Sequence, residues 1–247
     1  IAANNASGMC CGTKQNSYQT LDSMKVLMND GTLLDTADEG SRASFRNTHG
    51  HLLDELSMLA KNIRSNKPLA DRIRDKFKMK NTTGYSLNAL VDFEDPFEIL
   101  QHLMIGSEGT LGFIGEITYK TVNEDPFKAS SLMIFSDNET AGRAVYRLKS
   151  EPVSAVELMD RASLKSMENA DGVPGYIKDL SPEACSLLVQ TGADSQEKLH
   201  EQIGVIKKAL EDVPTEIPVS FTDKPEEYNN YWKIRKGLYP SVGAMRK

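Results

Sequence analysis

Cysteine is scarce in this chain of 247 residues: there are three, Cys10, Cys11 and Cys185. An odd number with one adjacent pair is a poor disulfide framework, and a reducing compartment is the simpler expectation. Histidine is nearly as scarce. His49, His51, His102 and His200 do not cluster around the cysteines, so no zinc or iron–sulfur ligand set is spelled out and no metal is expected. No apolar run approaches the roughly 20 residues of a spanning helix. No charged-then-apolar segment opens the chain. A basic excess is missing too. The formal net charge is −6 and the pI about 5.4, which argues against a nucleic-acid surface. Neither internal repeats nor low-complexity stretches are evident. A cytoplasmic protein, at most peripheral to an inner membrane, is the expectation.

What is present is an ordinary globular mixture, 39% hydrophobic and 26% charged, with length for one large or two modest domains. Residues 21–29 alternate as a strand, Asp30-Gly31 supplies a hairpin turn, and Thr32-Leu33-Leu34 returns. Leu52, Leu53, Leu56, Leu59, Ala60 and Ile63 draw a helical stripe over 51–64, and Leu69, Ile73 and Phe77 continue it after Pro68. His49 and His51 either share a strand face or are surface polar residues. Arg72, Arg74, Lys76, Lys78 and Lys80 make the second helix basic, as a solvated face or as a docking face for an acidic partner or lipid. Asp95 caps a further helix, Pro96 suits its first turn and Glu98 would complete a capping box. Residues 123–126, NEDP, form a domain boundary. Beyond them strands at 131–135, 155–159 and 184–190 alternate with helices at 137–148, 160–167 and 195–210. Ile217, Val219 and Phe221 read as another strand, and Pro225 opens a last helix. The second half reads as a sheet covered by helices, an α+β sandwich.

The most informative stretch is GSEGTLGFI, residues 106–114. Three glycines at a spacing of three interrupt an apolar segment, with small polar residues between them. Glycine lets main chain approach a ligand, and free N–H groups in such a turn would form an anion-binding nest. The alternative is a glycine-rich turn between a helix and a strand.

Three passages together carry a family resemblance: NNASGMCCGT at 4–13, DPFEILQHLMIGSEGTLGFIGEITYK at 95–120 and YWKIRKGLYPSVGAMRK at 231–247, with the strand AVELMD at 155–160. The chain resembles a middle portion of an FAD-linked oxidase of the vanillyl-alcohol oxidase/p-cresol methylhydroxylase fold. Within that group it is similar to the D-lactate and D-2-hydroxyglutarate dehydrogenases. The resemblance implies an α+β fold. Residues 1–122 would be the second part of a PCMH-type FAD-binding domain with a helical insertion at about 48–90. Residues 123–247 would be part of the FAD-linked oxidase C-terminal (cap) domain. The insertion looks most like large members that carry an added iron–sulfur region, which would lie elsewhere in the parent chain.

The resemblance also implies site residues. Asn5, Ala6, Ser7 and Gly8 would line the flavin or diphosphate of FAD. Gly106, Ser107, Glu108, Gly109, Thr110 and Gly112 would run along the ribityl and diphosphate portion, with Glu108 accepting from a hydroxyl. Phe113 and Ile114 would approach the adenine end. Arg235 would grip a substrate carboxylate, with Tyr239 lining the same pocket and Arg246 and Lys247 nearby; otherwise Arg235 is an ion-pair residue. Trp232 reads as core. The implied reaction oxidises a small D-2-hydroxy acid to the 2-keto acid, with no catalytic base or metal ligand named within the chain; the alternatives are a same-fold oxidase of another alcohol and a non-catalytic α+β binding module. Half of the cradle would precede Ile1 and the rest of the active site would follow Lys247, so the chain by itself is expected to bind no FAD.

Overall fold

The computed structural model describes residues 1–6, 8–170 and 172–245, with only the backbone at Tyr239, Ser241, Val242, Ala244 and Met245. By contacts the chain divides into two units. The first comprises Ile1–Gly8 and Gly12–Asn123, the second Met9–Cys11 and Glu124–Lys247. Of the sequence-derived site residues, Ser7, Arg246, Lys247 and the Tyr239 side chain lie outside what is described.

The first unit is built on a three-stranded antiparallel sheet in the order β2-β1-β3, from β1 (Leu21–Leu27), β2 (Leu33–Asp35) and β3 (Phe113–Tyr119). The β1–β2 turn forms as expected: Gly31 takes φ 87° and Asp30 Oδ1 accepts the Thr32 N–H at 2.9 Å. A short helix α1 (Ser17–Thr20) precedes β1, and four helices separate β2 from β3: α2 (Glu39–Ser65), α3 (Lys67–Lys76), α4 (Ala89–Asp92) and α5 (Pro96–Met104). Met24, Val26 and Leu34 of the sheet pack with Phe45, Leu53 and Ala60 of α2 and with Ile99, Leu103 and Met104 of α5.

A buried polar chain pins α5 to the sheet. The Met24 N–H donates to Thr36 Oγ1 at 2.9 Å, and that hydroxyl donates to Gln101 Oε1 at 2.6 Å. Asp95 caps α5 through the Phe97 N–H at 3.0 Å. The expected capping box does not close, because Glu98 turns to Gln101 Nε2 at 2.9 Å instead. His102 of α5 stacks on Phe93 at 4.1 Å and meets Tyr18 edge-on at 4.8 Å. Its burial lowers its pKa, and Nδ1 lies 2.8 Å from the Glu98 carbonyl, so Nδ1 carries the proton of a neutral ring.

Two expectations are corrected here. The first long helix starts at Glu39, not near residue 51, because Asp38 caps it through the Ser41 N–H. Its first twelve residues are polar apart from Ala43 and Phe45, and they show no stripe. His49 and His51 are therefore helical, not on a strand. His49 sits at a kink (φ −122°, ψ 23°), stacks on Phe45 and reaches Asp30 at 3.1 Å. On the basic helix, Arg74 pairs with Asp71 and Lys78 with Asp75, both at 3.2 Å, the pattern of a solvated face.

In the second unit a three-stranded antiparallel sheet of order β4-β6-β5 is formed by β4 (Phe127–Phe135), β5 (Ala155–Met159) and β6 (Cys185–Ala193). Its helices are α6 (Asn138–Leu148), α7 (Arg161–Met167), α8 (Gln196–Ala209) and α9 (Pro225–Met245). Side-chain alternation decides which helix covers which face. Met133, Phe135, Leu187 and Val189 pack with Ala141, Ala144 and Leu148 of α6 and Ile206 of α8. Leu132, Ile134 and Leu188 pack with Leu164 of α7 and Ile234 and Leu238 of α9. The central strand is buried on both sides, which gives a helix–sheet–helix sandwich.

The strand expected at 217–221 does not form. Glu216 donates to Ile134 O, and Thr222 exchanges a pair of bonds with Ser130. Pro218 between them has no N–H to continue a ladder beside β4. No described helix is long and apolar enough to cross a membrane.

Asp137, Asp160 and Ser195 cap α6, α7 and α8 by accepting N–H groups three residues on. The Ser163 side chain and then its backbone N–H hold the Asp160 carboxyl below its usual pKa. A depressed carboxylate stabilises the fold above its unfolded pKa, and that contribution disappears as the pH falls through the folded value. Asp160→Ala should therefore destabilise the chain by about 0.5–2 kcal/mol in urea melts at neutral pH. The difference should close in acid, below the carboxylate range.

Candidate cofactor-binding loop and carboxylate site

The glycine loop follows α5 directly. Its helix ends at Ile105, whose carbonyl accepts the Ser86 hydroxyl at 2.7 Å. Gly106 then takes φ 84° and its N–H donates to Ala2 O at 3.2 Å. Ser107 N–H returns to Met104 O at 3.2 Å, and Glu108 N–H donates to Ala3 O at 2.8 Å. Thr110 closes the turn on Ser107 O through its N–H at 3.0 Å and its hydroxyl at 2.6 Å. These amides are committed to carbonyls of the chain. The expected nest of free N–H groups is corrected accordingly: at Gly106, Ser107, Glu108 and Thr110 the backbone dipoles hold the loop itself.

The structure does bring the two sequence-derived segments together across about a hundred residues. Ala2–Asn4 is a 3-10 turn closed by Asn5 in the left-handed region (φ 50°), whose N–H donates to Ala2 O at 2.9 Å. A Cβ on Gly106 would lie 3.8 Å from Asn5 Cβ and 3.0 Å from Gly84 O. Residues 81–86 are thus a third side that sequence reasoning assigned to the insertion. Asn5 Nδ2 donates to Asn81 O at 3.0 Å, and the Tyr85 and Thr110 hydroxyls lie 2.8 Å apart. The turn signal Thr82-Thr83-Gly84 was the available clue.

The three glycines have different reasons. A Cβ at Gly112 would sit 2.9 Å from Val26 Cγ1 and 3.2 Å from Leu27 O, so this glycine lets β3 dock on β1. Gly106 is constrained by φ and by Gly84 O. Gly109 alone of the three faces open space (φ 77°, nothing within 4 Å). Beside it Glu108 is an exposed non-glycine residue at φ 53°, a strained conformation of order 1–2 kcal/mol. Ser107 Oγ and Asn5 Oδ1 are buried without a hydrogen-bond partner. Ala6 and Gly8 are exposed, Phe113 is 70% exposed, and Ile114 packs partly against the core.

Arg235 lies on α9, half-buried, with Nε at 2.9 Å and Nη2 at 2.8 Å from one oxygen of Glu157 on β5. Among the described residues Nη1 has no acceptor. Trp232 donates from Nε1 to Ser130 Oγ at 3.2 Å and packs at the edge of the core, as expected. Burial raises the pKa of Tyr176 to about 12, with the nearby Tyr231 adding to the rise. Burial and then Glu227 raise that of Tyr231, so both are neutral phenols at neutral pH. A shallow concavity of about 470 Å³ on α9 is lined by Glu226, Asn229, Asn230, Trp232, Lys233 and Lys236, and not by Arg235. No group of three or more His, Cys, Asp or Glu among the described residues is placed to hold a metal.

Residues 125–247 match the model of the FAD linked oxidases, C-terminal domain. Residues 125–247 belong to the FAD-linked oxidase C-terminal domain family. FAD is the cofactor of this family. The chain is 28% identical over 176 residues to a probable mitochondrial D-2-hydroxyglutarate dehydrogenase of Oryza sativa subsp. indica, covering 68% of this chain and 29% of the relative. It is 27% identical over 174 residues to the glycolate oxidase subunit GlcD of Escherichia coli (strain K12), covering 69% and 34%. It is 28% identical over 171 residues to a D-lactate dehydrogenase of Anaerostipes hadrus, covering 67% and 33%. The chain thus spans about a third of the length of these relatives. A solved alkyldihydroxyacetonephosphate synthase shares the fold, with a TM-score of 0.54 at 12% identity, covering 98% of this chain and 35% of that one.

If the loop met the FAD of this family, it would do so through side chains. The orphaned Ser107 hydroxyl, the Asn5 carboxamide oxygen and the open Cα of Gly109 suit a polyhydroxylated phosphate ester. The committed amides do not contribute. Gly112→Ala should lower the unfolding free energy by about 1–3 kcal/mol through overpacking against Val26. An unchanged urea midpoint would show that Gly112 is not packed as described.

Proposed function

We propose that the protein containing this chain oxidises a small D-2-hydroxy acid to the corresponding 2-keto acid, with FAD as hydride acceptor. The observation that carries this reading is that relatives matching two thirds of the chain are named for 2-hydroxy acids: D-2-hydroxyglutarate, glycolate and D-lactate. When bound, FAD would supply the redox chemistry. The chain's own residues would do the holding. Asn5, Ser107, Gly109 and Thr110 would contact the polar portion of the cofactor, and the exposed Phe113 ring would cover apolar surface. On this reading residues 1–122 belong to the PCMH-type FAD-binding domain and residues 123–247 to the substrate-covering domain.

Arg235 is the residue proposed for the substrate carboxylate. Glu157 takes two of its N–H bonds through a single oxygen, which orients the guanidinium and leaves Nη1 able to receive an anion. The ion pair also keeps the cation half-buried in the absence of substrate, at the cost of a competing carboxylate.

The test is turnover by the full-length polypeptide with D-lactate, D-2-hydroxyglutarate and glycolate and a dye as electron acceptor. At least one acid should reduce the dye. Arg235→Lys should raise KM about tenfold or more, because a charge-assisted bond is worth about 1.5–3 kcal/mol. A flavin-loaded enzyme that turns over none of the three acids would overturn the assignment.

A further inference from the structure

Trp232 stands one turn before Arg235 on α9, and its ring makes a directional bond that apolar packing alone does not need. The indole nitrogen is a donor and never an acceptor. Trp232 is half-buried and donates from Nε1 to Ser130 Oγ at 3.2 Å. Ser130 is a fixed acceptor. It is fully buried on β4, its own N–H and C=O are each bonded to Thr222 at 2.9 Å, and its hydroxyl donates to Gln190 Oε1 of β6 at 3.3 Å.

The strand register sets this anchor across the sheet from the one that holds Arg235. Ser130 pairs with Gln190 and Gln190 with Ala155. Glu157 lies two residues beyond Ala155 and therefore on the same face. Within one turn α9 is tied to both outer strands of the sheet, by Trp232 to β4 and by Arg235 to β5, with β6 between them. Strands on either side of a third are about 10 Å apart. Residues three apart lie about 60° apart around a helix. A single tie at Arg235 would leave α9 free to roll about its axis, because the apolar contacts of Ile234 and Leu238 are non-directional. The second tie, offset in angle and set on the opposite strand, resists that roll. Rolling would swing the guanidinium off the one Glu157 oxygen that meets both Nε and Nη2.

We propose that Trp232 is a positioning residue for Arg235: the indole bond to Ser130 sets the rotation of α9 at which the guanidinium meets Glu157 and leaves Nη1 for the substrate carboxylate. This role rests on the assignment of Arg235 to that carboxylate. The N–H, rather than the bulk of the ring, performs it. A phenyl ring fills most of the same space and has no donor. Trp232→Phe therefore separates positioning from packing, and Ser130→Ala removes the same bond from the other side.

Two readouts test this role. Hydrogen exchange of the Arg235 Nε–H, followed by NMR in this chain, reports the Glu157 bond with no substrate present. Steady-state kinetics of the full-length polypeptide report the carboxylate. Trp232→Phe should speed the exchange and raise KM by about three- to tenfold, the worth of one neutral hydrogen bond, with kcat nearly unchanged. Ser130→Ala should do the same, and it carries both readouts if Trp232→Phe fails to fold. In an Arg235→Lys background Trp232→Phe should add nothing to KM, because its effect passes through the guanidinium. Leu148→Val, packed on the opposite face of the sheet, is the stability control: it should lower the urea midpoint and move neither readout. Unchanged Nε–H exchange in Trp232→Phe, an equal rise of KM in the Arg235→Lys background, or the same changes in Leu148→Val would overturn the proposal. If none of the acids is turned over, the assignment of Arg235 to a substrate fails, and the exchange readout still decides whether Trp232 sets the guanidinium's geometry.

Discussion

Two backbone hydrogen bonds organise the first unit: Gly106 N–H to Ala2 O and Glu108 N–H to Ala3 O. They join the end of α5 to a turn about a hundred residues away. Everything the candidate site offers depends on them. They set Asn5 against Gly106, bury the Ser107 hydroxyl and leave Gly109 open. They also hold Glu108 and Asn5 in the left-handed region, the only described non-glycine residues with positive φ. Strain of that kind persists when the surroundings over-determine the backbone. Here the surroundings are a buried helix pinned by Gln101 and a strand docked through Gly112. The result is a ledge whose main-chain dipoles are satisfied internally while Ser107 Oγ and Asn5 Oδ1 stay without a hydrogen-bond partner.

The second unit follows a different economy. Its core is apolar, and the residue proposed for the substrate is held in a half-buried ion pair. Glu157 and Arg235 come from β5 and α9, which share a core cluster through Met159 and through Ile234 and Leu238. The packing fixes where the guanidinium starts, and the carboxylate fixes how it is turned. A half-buried cation with a partner on one edge is a modest contributor to stability. Its effect is to orient the guanidinium plane.

Much of this was legible in the sequence because it is encoded locally. The Asp30-Gly31 hairpin, the Asp95-Pro96 helix start and the alternation of short strand and helix segments in the second half each rest on a few neighbouring residues. The α+β class followed from them. Three features were not legible. The start of α2 is polar on its surface and becomes helical through the Asp38 cap and the burial of Phe45. The strand at 217–221 has the right alternation and fails at Pro218. The loop amides looked free because their acceptors, Ala2 O and Ala3 O, belong to a turn far away in the chain. For the same reason Arg235 could be singled out but its partner Glu157 could not.

Amide hydrogen exchange of the loop tests this account most directly. The N–H groups of Gly106, Ser107, Glu108 and Thr110 should be protected in the native chain to a degree comparable with β1 and α5, because each is bonded to a carbonyl in the fold. Exchange of these four amides at the rate of an unstructured loop would contradict it and restore the picture of an open, amide-lined nest.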